Sequence, residues 1–208
     1  MTAQAPDQRA RPRKLPRQAR ARHTVEAIIE ASARILEEQG HGGFTTNGVA
    51  ALAGVSIGTL YQYFPDKDAL LGALIARETT LLVEEAEAAC LMAAGQQALN
   101  ALVHAAVRHQ VRRPRLARLL DFEEARLPSD AATQRVRARF MAILADILAR
   151  PDLPDQPDMP TAAADLAAIM RGMIDSAGER GELGQEALVA RVRRAILGYL
   201  ALPAENSP

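Results

Sequence analysis

The sequence predicts an all-α fold, and three observations carry that prediction. Ala, Leu, Arg and Glu, all strong helix formers, make up half of the chain. Apolar residues recur at helical spacing, and strictly alternating β-branched or aromatic runs are absent. Hydrophobic residues are 49% of the 208 but aromatics only 3%, with no Trp, so the core must be aliphatic.

The elements follow in order. Residues 1–22 are rich in Pro, Gln and Arg, show no periodicity and read as a disordered arm. Thr24 reads as an N-cap, with Val25, Ile28, Ile29, Ser32, Ile35 and Leu36 at helical spacing behind it and Gly40 as the stop. GHGG (40–43) gives a loop, and Phe44 plugs the core beneath the next helix. Thr46 is expected to cap a short helix over 47–53, which Gly54 ends. Ser56 caps a third over 57–63, limited by Pro65. Asp66 caps a long fourth, about 67–92. Gly95 opens a helix to about Arg112, and Pro114 another with Leu116, Leu119 and Leu120 on one face. A helix at about 130–149 carries Val136, Phe140, Ile143, Leu144, Ile147 and Leu148. PDLPDQPDMP (151–160) has four prolines and reads as a long connection. Thr161 caps a helix to about Ala177, and a last one spans about 186–201. The resulting domains are an arm (1–22), a three-helix head (23–68), a larger helical domain (69–202) and a disordered tail (203–208).

The formal net charge is zero, but residues 1–22 hold seven basic groups against Asp7 alone, so the remainder carries about six net negative charges. A basic end on such a body suggests a polyanionic partner there. Cys90 is the only cysteine, which rules out an intrachain disulfide and fits a reducing compartment. The longest near-uniform apolar patch, AACLMAA (88–94), is far short of the ~18 residues a membrane span needs. The first residues lack an apolar segment and do not read as a signal peptide.

The densest cluster of informative residues is GVSIGTLYQYF (54–64). Two helices crossing at a tight turn need a small residue at the crossing, a residue tolerant of positive φ in the turn, and an aliphatic on the inner face of the second helix. Ala50, Gly54 and Leu60, with Val55 beside it, fill those places. An ordinary corner between packed helices would explain those four. It would not explain the outer face, where Ser56, Thr59, Tyr61, Gln62 and Tyr63 offer hydroxyls and an amide with no buried need for them. In a helix-turn-helix the second helix enters the DNA major groove and its first residues meet base edges.

FTTNGVAALAGVSIGTLYQYFPDKDALLGAL (44–74) closely resembles the DNA-binding domain of the TetR family of bacterial transcriptional regulators. With the helix before it and the long helix after it, the resemblance spans 24–92, and the run G-V-S-x-G-T-L-Y-x-Y-F-x-x-K carries it. It implies that Thr46 touches a phosphate and that Asn47 stands where members often carry Arg or another long polar side chain. Ser56, Ile57, Gly58 and Thr59 would be the leading end of the recognition helix. Tyr61, Gln62 and Tyr63 would line its groove-facing and phosphate-facing sides, and Lys67 would meet a phosphate. Leu60 and Phe64 would be core. Two departures stand out. Asn47-Gly48 replaces the usual charged pair, and Gly48 weakens its helix by roughly 0.8–1 kcal/mol relative to Ala. Ile57 suits a thymine methyl better than a polar base edge. Arg17, Arg20 and Arg22, just before the first expected helix, would add phosphate contacts.

The resemblance also implies a homodimer on a palindromic operator in double-stranded DNA, because one short recognition helix reads too few bases. The pairing helices would be the last two, with Ile169, Met173, Leu188, Val192, Ile196 and Leu200 at the interface. Helices between about 67 and 180 would enclose a small-molecule effector, with Met92, His104, Arg108, Phe122, Met141, Met170 and Met173 as candidate lining. A ligand-released repressor working in the cytoplasm, without cofactor or metal, is the reading this supports; a DNA-organising protein without a small ligand shares the same head. An enzyme is not expected. His104 and His109 are five apart, off the spacing of a helical metal pair, and no H-E-x-x-H, G-x-S-x-G or phosphate-loop pattern occurs. Asp121, Glu123 and Glu124 read as a solvated acidic face.

Overall fold

The computed structural model describes residues 17–126, 131–182 and 184–201, and among them every regular element is a helix. The elements are α1 (Arg17–Gly43), α2 (Thr46–Leu52), α3 (Ile57–Tyr63), α4 (Lys67–Cys90), α5 (Gly95–Arg112), α6 (Pro114–Arg126), α7 (Ala131–Leu148), α8 (Met159–Glu179) and α9 (Gln185–Ala201). None of the described helices is long and apolar enough to cross a membrane.

Local signals set most boundaries, and three differ from expectation. α1 begins at Arg17, so the arm expected over 1–22 is helical from that point, and its residues 1–16 lie outside the described ones. RQARA is built of good helix formers, and Thr24 is not a cap but an interior residue whose hydroxyl donates to the Arg20 carbonyl at 3.0 Å. The cap of α2 is Thr45, which accepts from Gly48 N at 3.1 Å, and Thr46 becomes the first helical residue. The cap of α8 is Asp158, which accepts from the Thr161 N–H at 3.2 Å and hydroxyl at 2.6 Å. Pro160 therefore sits in the first turn of α8, where its missing N–H loses no helical bond, and the connection is shorter than the proline count suggested. Ser56 and Asp66 cap α3 and α4 as expected. Gly40, at φ 64°, breaks the line of α1 as expected, although the chain coils on helically to Gly43. The expected tail, 203–208, lies outside the described residues.

Asp152 shows how the connection after α7 is used. Its carboxylate accepts from Gly95 N at 2.7 Å and Gln96 N at 3.0 Å, capping α5 from 57 residues away where Ala94 offers no side-chain bond. These two backbone donors, Gln96 first, hold its carboxyl below the ordinary Asp value.

Packing divides the aliphatic core in two. Ile28, Leu36, Phe44, Val49, Ala50, Leu60 and Phe64 join Leu70, Leu71, Leu74 and Ile75 of α4 beneath the head. Val83, Ala86 and Ala89 of α4 belong to a second cluster with α5, α7, α8 and α9. Helix α4 thus spans both cores. Helix α6 packs against α5 and α8 as well, but its buried Leu116 and Leu120 belong to the head's cluster.

Candidate nucleic-acid interface and ligand cavity

The α2–α3 unit is built from short-range bonds. Ala53 ends α2, Gly54 turns with φ 69°, and Val55 N returns to the Ala50 carbonyl at 3.0 Å. Only glycine adopts that φ without strain. Ser56 Oγ then accepts from Thr59 N at 3.0 Å and meets Thr59 Oγ1 at 2.9 Å, so both hydroxyls are spent on the first turn of α3. Leu60 is fully buried. Helical spacing then leaves Ile57, Gly58, Tyr61, Gln62 and Tyr63 outside, with Tyr61 at 49% exposure the most open of the large ones. Thr46 Oγ1 lies 3.2 Å from the Tyr61 hydroxyl, which ties the start of α2 to the outer face of α3. Asn47 is exposed beside them.

Two glycines differ in cause. A Cβ on Gly48 would come within 3.1 Å of Thr45 Oγ1 and 3.4 Å of Ile35 Cδ1, so the cap itself leaves little room there. A Cβ on Gly58 would meet nothing nearer than Ser56 Oγ at 3.8 Å. Among the described residues, no contact explains a glycine at 58.

Charge is absent from this surface: residues 39–65 contain no Asp, Glu, Lys or Arg. Lys67 stands just outside. Its ammonium donates to the His41 carbonyl at 3.3 Å and lies 5.2 Å from the Phe44 ring centroid, so it is half-buried against the head. Arg20 and Arg22 are exposed on the first turns of α1.

The second candidate site is a cavity of about 470 Å³ at the seam between the two cores. Ile75, Leu116 and Leu120 come from the head's cluster; Met170 and Ile174 come from the other. Of the seven residues expected there, Met141 and Met170 line it. Met92 is exposed at the end of α4, Met173 packs against the C-terminal core, and His104 does not reach the cavity. Arg108 points to Glu85 at 3.0 Å. Phe122 is 64% exposed and stands against the His41 ring, 6.0 Å between centroids.

The polar lining differs from expectation: Glu78 and Thr79 of α4, His109, Gln110 and Arg112 of α5 with Arg113 after it, Asp121 and Glu124 of α6, Arg137 of α7, and Arg171 and Asp175 of α8. Asp121, Glu123 and Glu124 are not a solvated acidic face. Glu123 is buried and meets His41 at 3.3 Å and Arg126 at 2.7 Å, while Glu124 pairs with Arg137. Burial first, and then the neighbouring charge of Asp175, pushes the Asp121 carboxyl up to about 6. Burial likewise raises Asp175, against the pull of Arg171. Burial holds the His109 imidazole below its ordinary value.

The six dimer candidates divide as well. Leu188, Val192, Ile196 and Leu200 are buried in the chain's own core, because α9 packs that stripe against α5 and α8. Ile169 and Met173 are half-buried on the same core. The exposed residues of the two helices include Ala164, Ala168, Arg171 and Gly172 of α8 and Ala190, Arg193, Arg194, Leu197 and Gly198 of α9.

Two family models match this sequence: "Bacterial regulatory proteins, tetR family" over residues 28–74, and "Tetracyclin repressor-like, C-terminal domain" over residues 96–200. Among solved structures, the fatty acid degradation regulator FadR from Bacillus halodurans superposes with a TM-score of 0.69 at 18% identity, over 86% of this chain and 99% of that one. FadR from Bacillus subtilis, in complex with stearoyl-CoA, gives 0.68 at 19% identity, over 84% and 96%. A TetR transcriptional regulator from Rhodococcus sp. RHA1 gives 0.65 at 25% identity, over 90% and 100%. No curated protein matches the sequence.

Proposed function

The chain belongs to the tetR family of bacterial regulatory proteins, DNA-binding transcription regulators, and on that premise we propose a dimeric repressor that leaves a palindromic operator when a small molecule fills the cavity. The contacts proposed at DNA are those of the exposed face of α3 (Ile57, Gly58, Tyr61, Gln62 and Tyr63), with Ser56 and Thr59 fixing its leading end. Thr46, Asn47, Lys67 and one of Arg20 and Arg22 supply the flanking contacts. Pairing through the outward faces of α8 and α9 sets two such helices on one duplex. A protein acting there works in the cytoplasm.

One observation carries the ligand switch: α6 faces both ways. Leu116, Ala117, Leu120, Asp121 and Glu124 line the cavity, while Leu116 and Leu120 also lie in the head's core. Both ends of α6 are tied to the head. Arg113, just before it, meets Glu37 of α1 at 2.7 Å and Glu30 at 3.5 Å. Arg126, at its end, meets Asp68 of α4 at 2.8 Å. A ligand that prefers a different seat for α6 changes the set of α1 and α4, and with them α3. Such coupling is typically ~1–3 kcal/mol, and operator DNA weakens the ligand by the same factor. The stearoyl-CoA complex of the similar Bacillus subtilis regulator supports a small-molecule effector.

The test is a genome-fragment binding selection at stated salt with the wild type and with a Tyr61→Ala, Tyr63→Ala double variant. One palindromic site, lost in the variant, is expected, together with a dimer by light scattering at micromolar concentration. Sequence-blind binding would point instead to a DNA-organising protein, and a monomer would remove the two-helix argument.

A further inference from the structure

The cavity's charges are unevenly partnered. Arg137 is neutralised by Glu124, Arg113 by Glu37, and Arg112 lies 3.9 Å from Glu78. Asp121 and Asp175 have no cation within ion-pair distance among the described residues, although both line the cavity. Arg171, one turn before Asp175 on α8, acts on both at longer range but is itself exposed. Two carboxylates from different helices therefore face one partly desolvated space with no protein cation between them.

A second observation points into the same space. Gln110, on α5, lines the cavity and is only 6% exposed, yet its Nε2 has no hydrogen-bond partner. Its amide is close enough to Asp121 to hold that carboxyl down as a donor. A buried donor left unmade is costly, so an acceptor oxygen on a ligand beside it would be favourable. The rest of the lining suits an apolar body: Leu82, Phe140, Met141, Met170 and Ile174. Methionines adapt to irregular shapes, and an aromatic face attracts a cation.

We propose that the effector is an amphiphilic organic cation, its charged nitrogen between Asp121 and Asp175, an acceptor oxygen near that nitrogen facing Gln110, and an apolar tail toward Phe140 and the methionines. This rests on the reading of the cavity as the effector site. A cation between them would offset the burial that disfavours both charges; an anion would not.

Isothermal titration of the full chain with three octanoyl probes tests the charge, and comparison with a variant lacking both aspartates separates it from headgroup size. Octanoylcholine is cationic, methyl octanoate is neutral with the same ester, and octanoate is anionic. Octanoylcholine is expected to bind about tenfold or more tighter than methyl octanoate, with octanoate weakest. In an Asp121→Asn, Asp175→Asn variant that advantage should fall to about threefold or less. Asn keeps the side-chain shape, and the wild-type ranking stands on its own if the variant misfolds. An Ala117→Phe variant, which fills the cavity from α6, should remove binding. If methyl octanoate or octanoate binds as tightly as the choline ester and Ala117→Phe abolishes that binding, the cation is wrong while the cavity remains a ligand site. If no probe binds, or binding ignores Ala117→Phe, the cation and the effector site both fall.

Discussion

The α2–α3 head carries its polar chemistry on neutral side chains in the open, whereas the cavity carries it on charged side chains under cover. In the head, Ser56 and Thr59 bond each other, Thr46 meets the Tyr61 hydroxyl, and the rings of Tyr61 and Tyr63 and the Gln62 amide stay outward. In the cavity, Asp121 and Asp175 are held partly out of water without a counter-ion. The head is organised before its partner arrives, and the cavity's electrostatics are left incomplete. That difference should appear as opposite signs when each is mutated.

The largest effect is expected at Leu60→Ala. Leu60 is fully buried in the head's core, and truncation of such a residue costs about 2–5 kcal/mol. DNA binding should be lost while most helical ellipticity remains at 25 °C, because the second core does not include this residue. Loss of all helix in one step would mean that α4 and α6 weld the two cores into a single cooperative unit.

Asp121→Asn is expected to act the other way. Its folded pKa, about 6, lies above the ordinary 3.8, so the folded state holds the proton more tightly than the unfolded one. Stability therefore falls as pH rises from about 4 to 6, and the deficit persists above that range. The groups that set this are Asp175 and Arg171 of α8, Gln110 of α5 and Glu124 of α6 itself. A shift of about two units corresponds to ~3 kcal/mol, reduced to ~1–2 kcal/mol by solvent screening of a group that is partly exposed. Thermal melts should show the variant more stable at pH 7.5 and equal to wild type below pH 4. A variant less stable at pH 7.5 would show that the carboxylate is already neutralised.

Gly58→Ala is a finer probe of the head. An added Cβ meets only Ser56 Oγ at 3.8 Å, and Ala gains up to ~1 kcal/mol over Gly in a helix. The free protein should therefore be slightly more stable, while operator affinity falls by about tenfold or more if DNA backbone approaches there. Stability and affinity rising together would show that the DNA stays clear of position 58.

The same contrast explains what the sequence discloses. The head is legible because its constraints are local: a positive φ at Gly54, a cap at Ser56 and a buried Leu60 lie within seven residues. The cavity draws its polar lining from five helices, and no short window holds it. A trace was present, since Ala117, Asp121 and Glu124 share one face of α6 at i, i+4 and i+7. Read alone, that spacing suited a wet surface, and only the packing of α6 against α4 and α8 turns it inward. The start of α1 was missed for the opposite reason. The basic composition of residues 1–22 suggested disorder, although RQARARHT is a sound helical sequence on propensity.

That helical start changes the last and smallest expectation. In a flexible arm Arg20 and Arg22 could both reach phosphates, and replacing both would lower the salt slope of DNA binding by about two. On a helix, residues two apart point roughly 200° away from each other, so a single duplex can meet only one of them. The Arg20→Ala, Arg22→Ala variant should therefore lower the slope by about one, with stability changed by less than about 0.5 kcal/mol because both side chains are exposed. With no Lys or Arg between 39 and 65, one such contact is a large share of the total. A drop near two would mean that the start of α1 unwinds on the operator. An unchanged slope would place it off the DNA and leave Lys67 and the residues before Arg17 as the source of charge.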